Sequence, residues 1–344
     1  MSDVHEAASQ ALPPHAQLIQ MGAASWISAV VYAAAKLGIA DHLAAGPRSA
    51  VELADTTRTH APSLHRLMRT LAGVGILTER DAQRFALTRL GEALKSDAPG
   101  SARATLISFC GPAFWHSWEE ILYSLETGKT GFEKAYGMPL FEYLSQHPEE
   151  ASYFSEAMVG FHGAEPPAVV RAYDFSGFKT IVDVGGATGN MLAAILSHHA
   201  APRGVLFDRP HVVCDASALL KARGVDERVT IEPGDFFDRV PAGGDAYLLS
   251  HIIHDWNEEQ CLTILGHCRN VIQPDGRLLI IEAVLPTGDT PHQGKVQDMV
   301  MLVVPGGQER TEAEYASLLS KAGFRLARVV PTESVVSVVE ALPE

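Results

Sequence analysis

Three features of this sequence could do chemistry together: a glycine turn, acids spaced behind it, and a pair of histidines. The turn is TIVDVGGATGNM, residues 180–191. Ile181, Val182 and Val184 read as a buried parallel strand, and MLAAIL after the glycines reads as a helix. Strand, glycine turn and helix form a cofactor cradle at the carboxyl ends of an open α/β sheet, with Gly185 letting a ligand approach the backbone. Asp208 ends the next strand, 23 residues after Gly185, where a carboxylate takes a ribose diol. Asp235 sits just past the third strand, placed to accept from an adenine amino group, with Phe236 beside it for packing.

The turn lacks the marks of a phosphate binder. A GxGxxG starting at Gly185 needs glycine at 187 and 190, where Ala187 and Asn190 stand. No Gly-Lys-Ser/Thr of a P-loop is present. A nucleoside cofactor without phosphates fits, and S-adenosylmethionine is the obvious one, its cationic sulfonium suiting an acidic domain. Methyl transfer to a phenol needs an oxygen whose proton leaves as the O–C bond forms. A free phenol has a pKa of ~10, so a positioned base helps at neutral pH. His254, in HIIHDW after the fourth strand, has the right chemistry and the right end of the sheet. His251, His254 and Asp255 lie close in sequence, but no third ligand group stands at metal spacing, so no metal is expected.

These residues need a sheet to hold them. Strands are predicted at Thr180–Val184, Gly204–Phe207, Val229–Ile231, Ala246–Leu249 and Arg277–Ala283, with helices between, the last at Glu258–Val271. A helix at Glu312–Ala322 and two β-rich runs, Phe324–Val330 and Ser334–Glu340, follow. The runs are expected to pair as an antiparallel hairpin on the edge of a mostly parallel sheet. Upstream, residues 12–46 read as helices stopped by Gly46-Pro47, Ser49 caps a short helix, and Pro62–Leu77 places Leu64, Leu67, Met68 and Leu71 on one face. A polar hairpin at Arg80–Thr88 completes a winged-helix order. Residues 101–172 read as a helical connector rich in aromatic residues, including Trp115 and Phe161. Three parts are thus expected: 1–100, 101–172 and 173–344.

The chain has 344 residues, 47% hydrophobic and 20% charged, enough to bury a core. The first hundred residues balance nine basic against nine acidic side chains, so the whole net charge of −14 falls on the remainder. Such a field disfavours DNA, RNA and anionic membranes. Although His65, Arg66 and Arg69 face solvent on the would-be recognition helix, a DNA-binding role fits this charge poorly. The apolar stretch Met21–Ala35 looks too short to span a bilayer, and the opening MSDVHEAASQ has no cationic n-region. Four cysteines without metal spacing read as buried free thiols of a cytoplasmic protein.

Six ordered motifs, IVDVGGATGN, VLFDRPHVV, GDFF, HIIHDWNEEQC, IIEAVLP and PGGQERTEAEY, give the chain a resemblance to the plant-type O-methyltransferases of the caffeate and hydroxyindole kind and their bacterial natural-product relatives. The resemblance runs from about residue 20 to 340. It implies a Rossmann-like methyltransferase domain preceded by an α-helical winged-helix dimerisation domain, hence a homodimer. It implies S-adenosylmethionine as methyl donor, S-adenosylhomocysteine as product, and contacts to the cofactor from Gly185, Asp208, Asp235, Phe236 and Ser250. It makes His254 the general base, flanked and oriented by Glu282 and Glu309. The acceptor is expected to be the hydroxyl of a small aromatic secondary metabolite such as a phenazine, polyketide or flavonoid-like compound. Trp115, Met158, Phe161, His162, Asp298 and Met301 are the candidate residues around it. Ala187, Phe236, Ser250 and Gln308 depart from the plant pattern, so the substrate does not carry over. Two alternatives stay open: N-methylation of an aromatic nitrogen, and a winged-helix regulator with a ligand-sensing domain.

Overall fold

A computed structural model of the chain describes residues 12–344; the opening MSDVHEAASQ, and the reading of it as no signal, lie outside them. Two compact units form, one of residues up to 112 with Ser152–Gly160, the other of Ala113–Ala151 and Phe161–Glu344. The expected connector 101–172 is therefore not a part of its own. Its helix Pro148–Phe161 supplies residues to both units.

In the first unit, helices Pro14–Lys36, Ile39–Leu43, Ala50–Thr57 and Ala61–Gly73 precede a hairpin of Leu77–Arg80 and Arg84–Leu87, with Arg48–Ser49 pairing alongside. This is the winged-helix order. Ser49 starts its helix with a reciprocal cap: its hydroxyl accepts from Glu52 N–H while the Glu52 carboxylate accepts from Ser49 N–H at 2.6 Å. Leu64, Met68 and Leu71 bury the expected helix face against Leu53 and Phe85. The hairpin begins at Leu77 rather than Arg80 because Leu77 is drawn into that core. Arg66 and Arg69 are exposed, while His65 lays its ring edge-on to Phe85.

Helix Pro14–Lys36 corrects one expectation. Its 23 residues are long and apolar enough, by length and composition, to cross a membrane, because the helix starts well before Met21. Leu18, Ile19, Met21 and Trp26 project from it with about 70% of their surface exposed. The reading of the cysteines also needs correction: Cys261 and Cys268 are buried, but Cys214 is exposed and Cys110 is half-buried.

The second unit carries the large sheet. Its strands are β1 (Thr180–Val184), β2 (Arg203–Asp208), β3 (Val229–Pro233), β4 (Ala246–Ser250), β5 (Arg277–Leu285), the two-residue β6 (Arg310–Thr311), β7 (Phe324–Pro331) and β8 (Val336–Pro343). The order is β7-β8-β5-β4-β1-β2-β3, with β6 beside β5. β1 to β5 pair in parallel, and β7 and β8 add an antiparallel edge. Alternate side chains feed two cores: Ile181 enters one with helix Asn190–His198, while Val182 and Val184 enter the other with helix Glu258–Val271. Burial on both faces explains the near-continuous apolar runs of the central strands. The strand order reverses between β1 and β4, and an open α/β sheet offers its crevice at that switch point.

Candidate active site

The crevice is lined first by the glycine turn. Gly185 takes φ +72°, and a Cβ there would lie 2.4 Å from Ile252 Cδ1 and 3.2 Å from Phe236. A Cβ on Gly186 would sit 2.5 Å from the Asp183 carboxylate. Both positions therefore need glycine, and the backbone beside them is left bare. Ala187 adopts φ +50°, a strained region for a residue with a side chain; its N–H donates to Asp208 Oδ2 at 2.8 Å. Asp208 Oδ1 accepts from Arg209 N–H, so the acid that ends β2 also ties the turn in place. Burial raises the Asp208 carboxyl above its usual range. Asp235 accepts from Phe237 N–H at 2.8 Å and faces the Arg209 guanidinium at 3.5 Å. Phe236 packs edge-on to Trp256. Ser250 ends β4, opposite Ile281 of β5. Asp183, which the sequence reading left without a role, is fully buried. Burial and then the neighbouring Asp208 charge push it up to about 7.

His254 lies in a single turn, Ile253–Asp255, just after β4 and is 4% exposed. Two acids hold it, by different means. Glu309 Oε1 lies 2.8 Å from the ring Nδ1, so the ring donates Nδ1–H to that carboxylate. Glu282 does not touch the ring. Its Oε1 accepts the backbone N–H groups of Ile252, Ile253 and His254 at 3.0, 2.6 and 3.2 Å, and its Oε2 accepts the Tyr315 hydroxyl at 2.6 Å. One carboxylate sets the tautomer; the other pins the turn that carries the histidine.

The PGGQER segment wraps this turn. A Cβ on Gly307 would fall 1.8 Å from the His254 carbonyl oxygen, so only glycine passes there. Gln308 N–H donates to that same oxygen at 2.8 Å, and buried Arg310 donates to the Ile253 carbonyl. Asp298 accepts from Glu309 N–H at 2.9 Å, anchoring the glutamate from helix Gln293–Val303. Burial alone would lower the His254 ring, but the carboxylates of Asp255, Glu309 and Glu282 outweigh it and hold the ring at about 10. Asp255 Oδ1 lies 3.7 Å from Nε2, and burial pushes its own carboxyl up to about 6.

The remaining candidates separate. His162 joins His251 through Glu165, whose two oxygens take one ring each. Met301 is buried in helix Gln293–Val303, and its carbonyl accepts from Gly306 and Gly307 N–H. Trp115 is exposed although Phe114 beside it is core. Phe161 is about a third exposed and meets the His162 ring edge-on. Met158 belongs to the other compact unit. Sequence reading missed Glu165, Tyr315 and Arg310, which pair with His251, Glu282 and Ile253, 33 to 86 residues away.

The switch-point crevice thus gathers a bare glycine turn, a buried acid at the end of β2 and a carboxylate-held histidine, and comparison with known proteins identifies the chain as an S-adenosylmethionine-dependent methyltransferase. The chain belongs to the O-methyltransferase family: residues 118–325 match the O-methyltransferase domain and residues 19–97 the O-methyltransferase dimerisation domain. It is 44% identical to phenazine O-methyltransferase PhzM of Lysobacter antibioticus over 97% of both chains. It is 42% identical to 3-amino-4-hydroxybenzoate 4-O-methyltransferase of Streptomyces cremeus, over 94% of this chain and 89% of that one. It is 34% identical to phenazine-1-carboxylate N-methyltransferase of Pseudomonas aeruginosa, over 91% and 92%. The crystal structure of LaPhzM superposes with a TM-score of 0.93 over 97% of this chain and 100% of that one, at 44% identity. NcsB1, from neocarzinostatin biosynthesis, solved with S-adenosylmethionine and a hydroxynaphthoic acid, superposes at 0.81 over 92% and 96%, at 32% identity.

Proposed function

We propose that this enzyme methylates a hydroxyl on an aromatic secondary metabolite, of the phenazine, polyketide or flavonoid-like kind, with His254 as the general base. The observation that carries this reading is the buried 2.8 Å contact of His254 Nδ1 with Glu309, which keeps the lone pair of the deprotonated ring on Nε2 for the proton of the acceptor. Gly185, Asp208, Asp235, Phe236 and Ser250 are the residues that would hold S-adenosylmethionine, which supplies an electrophilic methyl group on a sulfonium sulfur. The bare backbone at Gly185 and Gly186 and the buried Asp208 at the end of β2 support that fit. Residues of the His254 turn then bind and orient the acceptor hydroxyl, and Nε2 takes its proton as the oxygen attacks. The imidazolium formed is stabilised by Glu309. Asp298 keeps Glu309 in line, so its part is positioning. His162 and Met301, with Phe161 and Trp115 nearer the surface, are the second unit's candidates for the aromatic body of the acceptor.

Two relatives named for phenazine and aminohydroxybenzoate O-methylation support an aromatic hydroxyl as acceptor. The N-methyltransferase at 34% identity favours a second reading, transfer to an aromatic nitrogen. Such a nitrogen has a free lone pair and needs no base, so its methylation would survive loss of His254. The test is to incubate the purified enzyme with S-adenosylmethionine and hydroxyphenazines or hydroxynaphthoates, and to locate the new methyl group by mass spectrometry and NMR. O-methyl products are expected; N-methyl products alone, or no binding of S-adenosylhomocysteine by calorimetry, would overturn the reading.

We also propose that the chain works as a homodimer in the cytoplasm. The apolar side chains projecting from Pro14–Lys36, in the segment matching the dimerisation domain, form a patch suited to a second copy rather than to water. Light scattering is expected to give a dimer at micromolar concentration and a monomer for Trp26→Asp. A wild-type monomer would contradict this.

A further inference from the structure

Beside the base stands a cluster that the proton transfer does not use. Glu165, 3% exposed in the first turn of helix Glu165–Ala172, divides its carboxylate between His162 Nδ1 at 2.9 Å and His251 Nε2 at 2.6 Å. The two rings lie 3.8 Å apart between centroids, and the His251 ring lies 5.1 Å from that of His254. Hydrogen bonds from both histidines outweigh burial and bring Glu165 down to about 2, so it is ionised. Burial, aided by His162, holds His251 down at about 3 against the pull of Glu165, so its ring is neutral.

A neutral imidazole that donates Nε2–H to a carboxylate has a bare lone pair on Nδ1. In His251 that Nδ1 is buried and has no protein partner. The residue also takes φ +55°, a left-handed conformation that costs a side-chain-bearing residue energy. A fixed tautomer, an unpaired acceptor and a strained backbone thus coincide one ring away from the base.

We infer that His251 Nδ1 accepts a hydrogen bond from a second O–H or N–H group on the acceptor, at the ring position next to the methylated hydroxyl. The inference rests on the reading of the protein as a methyltransferase for aromatic hydroxyls, and narrows its substrates to ortho-dihydroxy and ortho-amino-hydroxy aromatics. With the His251 and His254 rings 5.1 Å apart between centroids, each imidazole would take one of two neighbouring substituents. A substrate lacking the second donor leaves Nδ1 buried and unpaired, and a site built for a hydrogen bond rejects such an analogue.

The test compares kcat/KM for 2,3-dihydroxynaphthalene, 3-methoxy-2-naphthol and 2-naphthol. Wild type is expected to favour the diol over the other two by roughly 10- to 100-fold, the range that an unpaired buried acceptor supports. His251→Gly removes the ring while suiting the positive φ, and is expected to bring the three within about 3-fold. Glu165→Gln, whose amide no longer fixes the tautomer, is expected to reduce the preference as well. Equal treatment of the three by wild type, or an undiminished preference in His251→Gly, would overturn the inference while leaving hydroxyl methylation standing. Activity lost with EDTA and restored by zinc would overturn it in favour of a metal held by these three side chains. Failure to methylate any of the three, with S-adenosylhomocysteine still bound, would overturn the hydroxyl reading itself and this inference with it.

Discussion

His254→Ala is expected to lower kcat for methylation of a phenolic hydroxyl by roughly 10²–10⁴-fold, the usual worth of a positioned base. Affinity for S-adenosylhomocysteine should change by no more than a few-fold, because Gly185, Asp208 and Asp235 lie on other strand ends. The two quantities separate a base from a structural histidine. Loss of packing alone would weaken binding and folding together; loss of a base leaves a folded protein that binds cofactor and turns over slowly. His254→Gln, with a side chain of similar length, guards against a trivial loss of the fold. Product formation followed by mass spectrometry, with cofactor binding followed by calorimetry, checks both. A loss in turnover smaller than about 5-fold would remove His254 from the chemistry.

Replacing Glu282 should instead strike stability. Its carboxylate satisfies three backbone N–H groups and the Tyr315 hydroxyl, all buried. In Glu282→Ala those four donors lose their partner inside the core. Each unsatisfied buried group costs about 1–3 kcal/mol, with partial relaxation limiting the sum. A loss of roughly 3–5 kcal/mol is expected, comparable to breaking a buried charge pair. Scanning calorimetry should show it as a drop of roughly 10 °C in the melting of the sheet-bearing unit. Glu282→Gln keeps one acceptor oxygen for the turn and should lose well under half as much. Equal melting of Glu282→Ala and wild type would show that the turn does not depend on this carboxylate.

The contrast between the two glutamates also marks how far the sequence could be read. β1, a β-branched run before glycines, is the predicted Thr180–Val184, and helix Glu258–Val271 has its predicted bounds because Asn257 and Gln260 form a reciprocal cap. The strands run one or two residues further than the apolar pattern, to Asp208, Ser250 and Leu285, since their ends pair through the backbone whatever the side chain. β6 is two residues long and carries no periodicity to detect. Helix Gln293–Val303 and the division of the connector between two units also escaped the pattern. Within the site, position at a strand end pointed to His254, while Glu282 and Glu309 came from the family resemblance. Which part of the histidine each acid grips depends on three-dimensional approach, and Glu282 grips backbone. The His162–Glu165–His251 cluster joins residues 86 positions apart, with no spacing to betray it.

The central claim is that an unusually basic His254, made so by Asp255, Glu309 and Glu282, takes the acceptor's proton. The most direct measurement is kcat/KM against pH for wild type and Glu309→Gln with the same phenol. In wild type the carboxylates hold the ring at about 10, so the free enzyme carries a proton at neutral pH and activity should rise with pH, the limb lying well above the 6.5 of free histidine. Removing one negative partner lowers the ring's pKa, so the limb of Glu309→Gln should move to lower pH by about one unit or more, with a lower plateau from the weaker base. Ionisation of the free phenol cannot produce that movement, because the phenol is the same in both. A wild-type limb near 6.5, or limbs that coincide in the two proteins, would contradict the account.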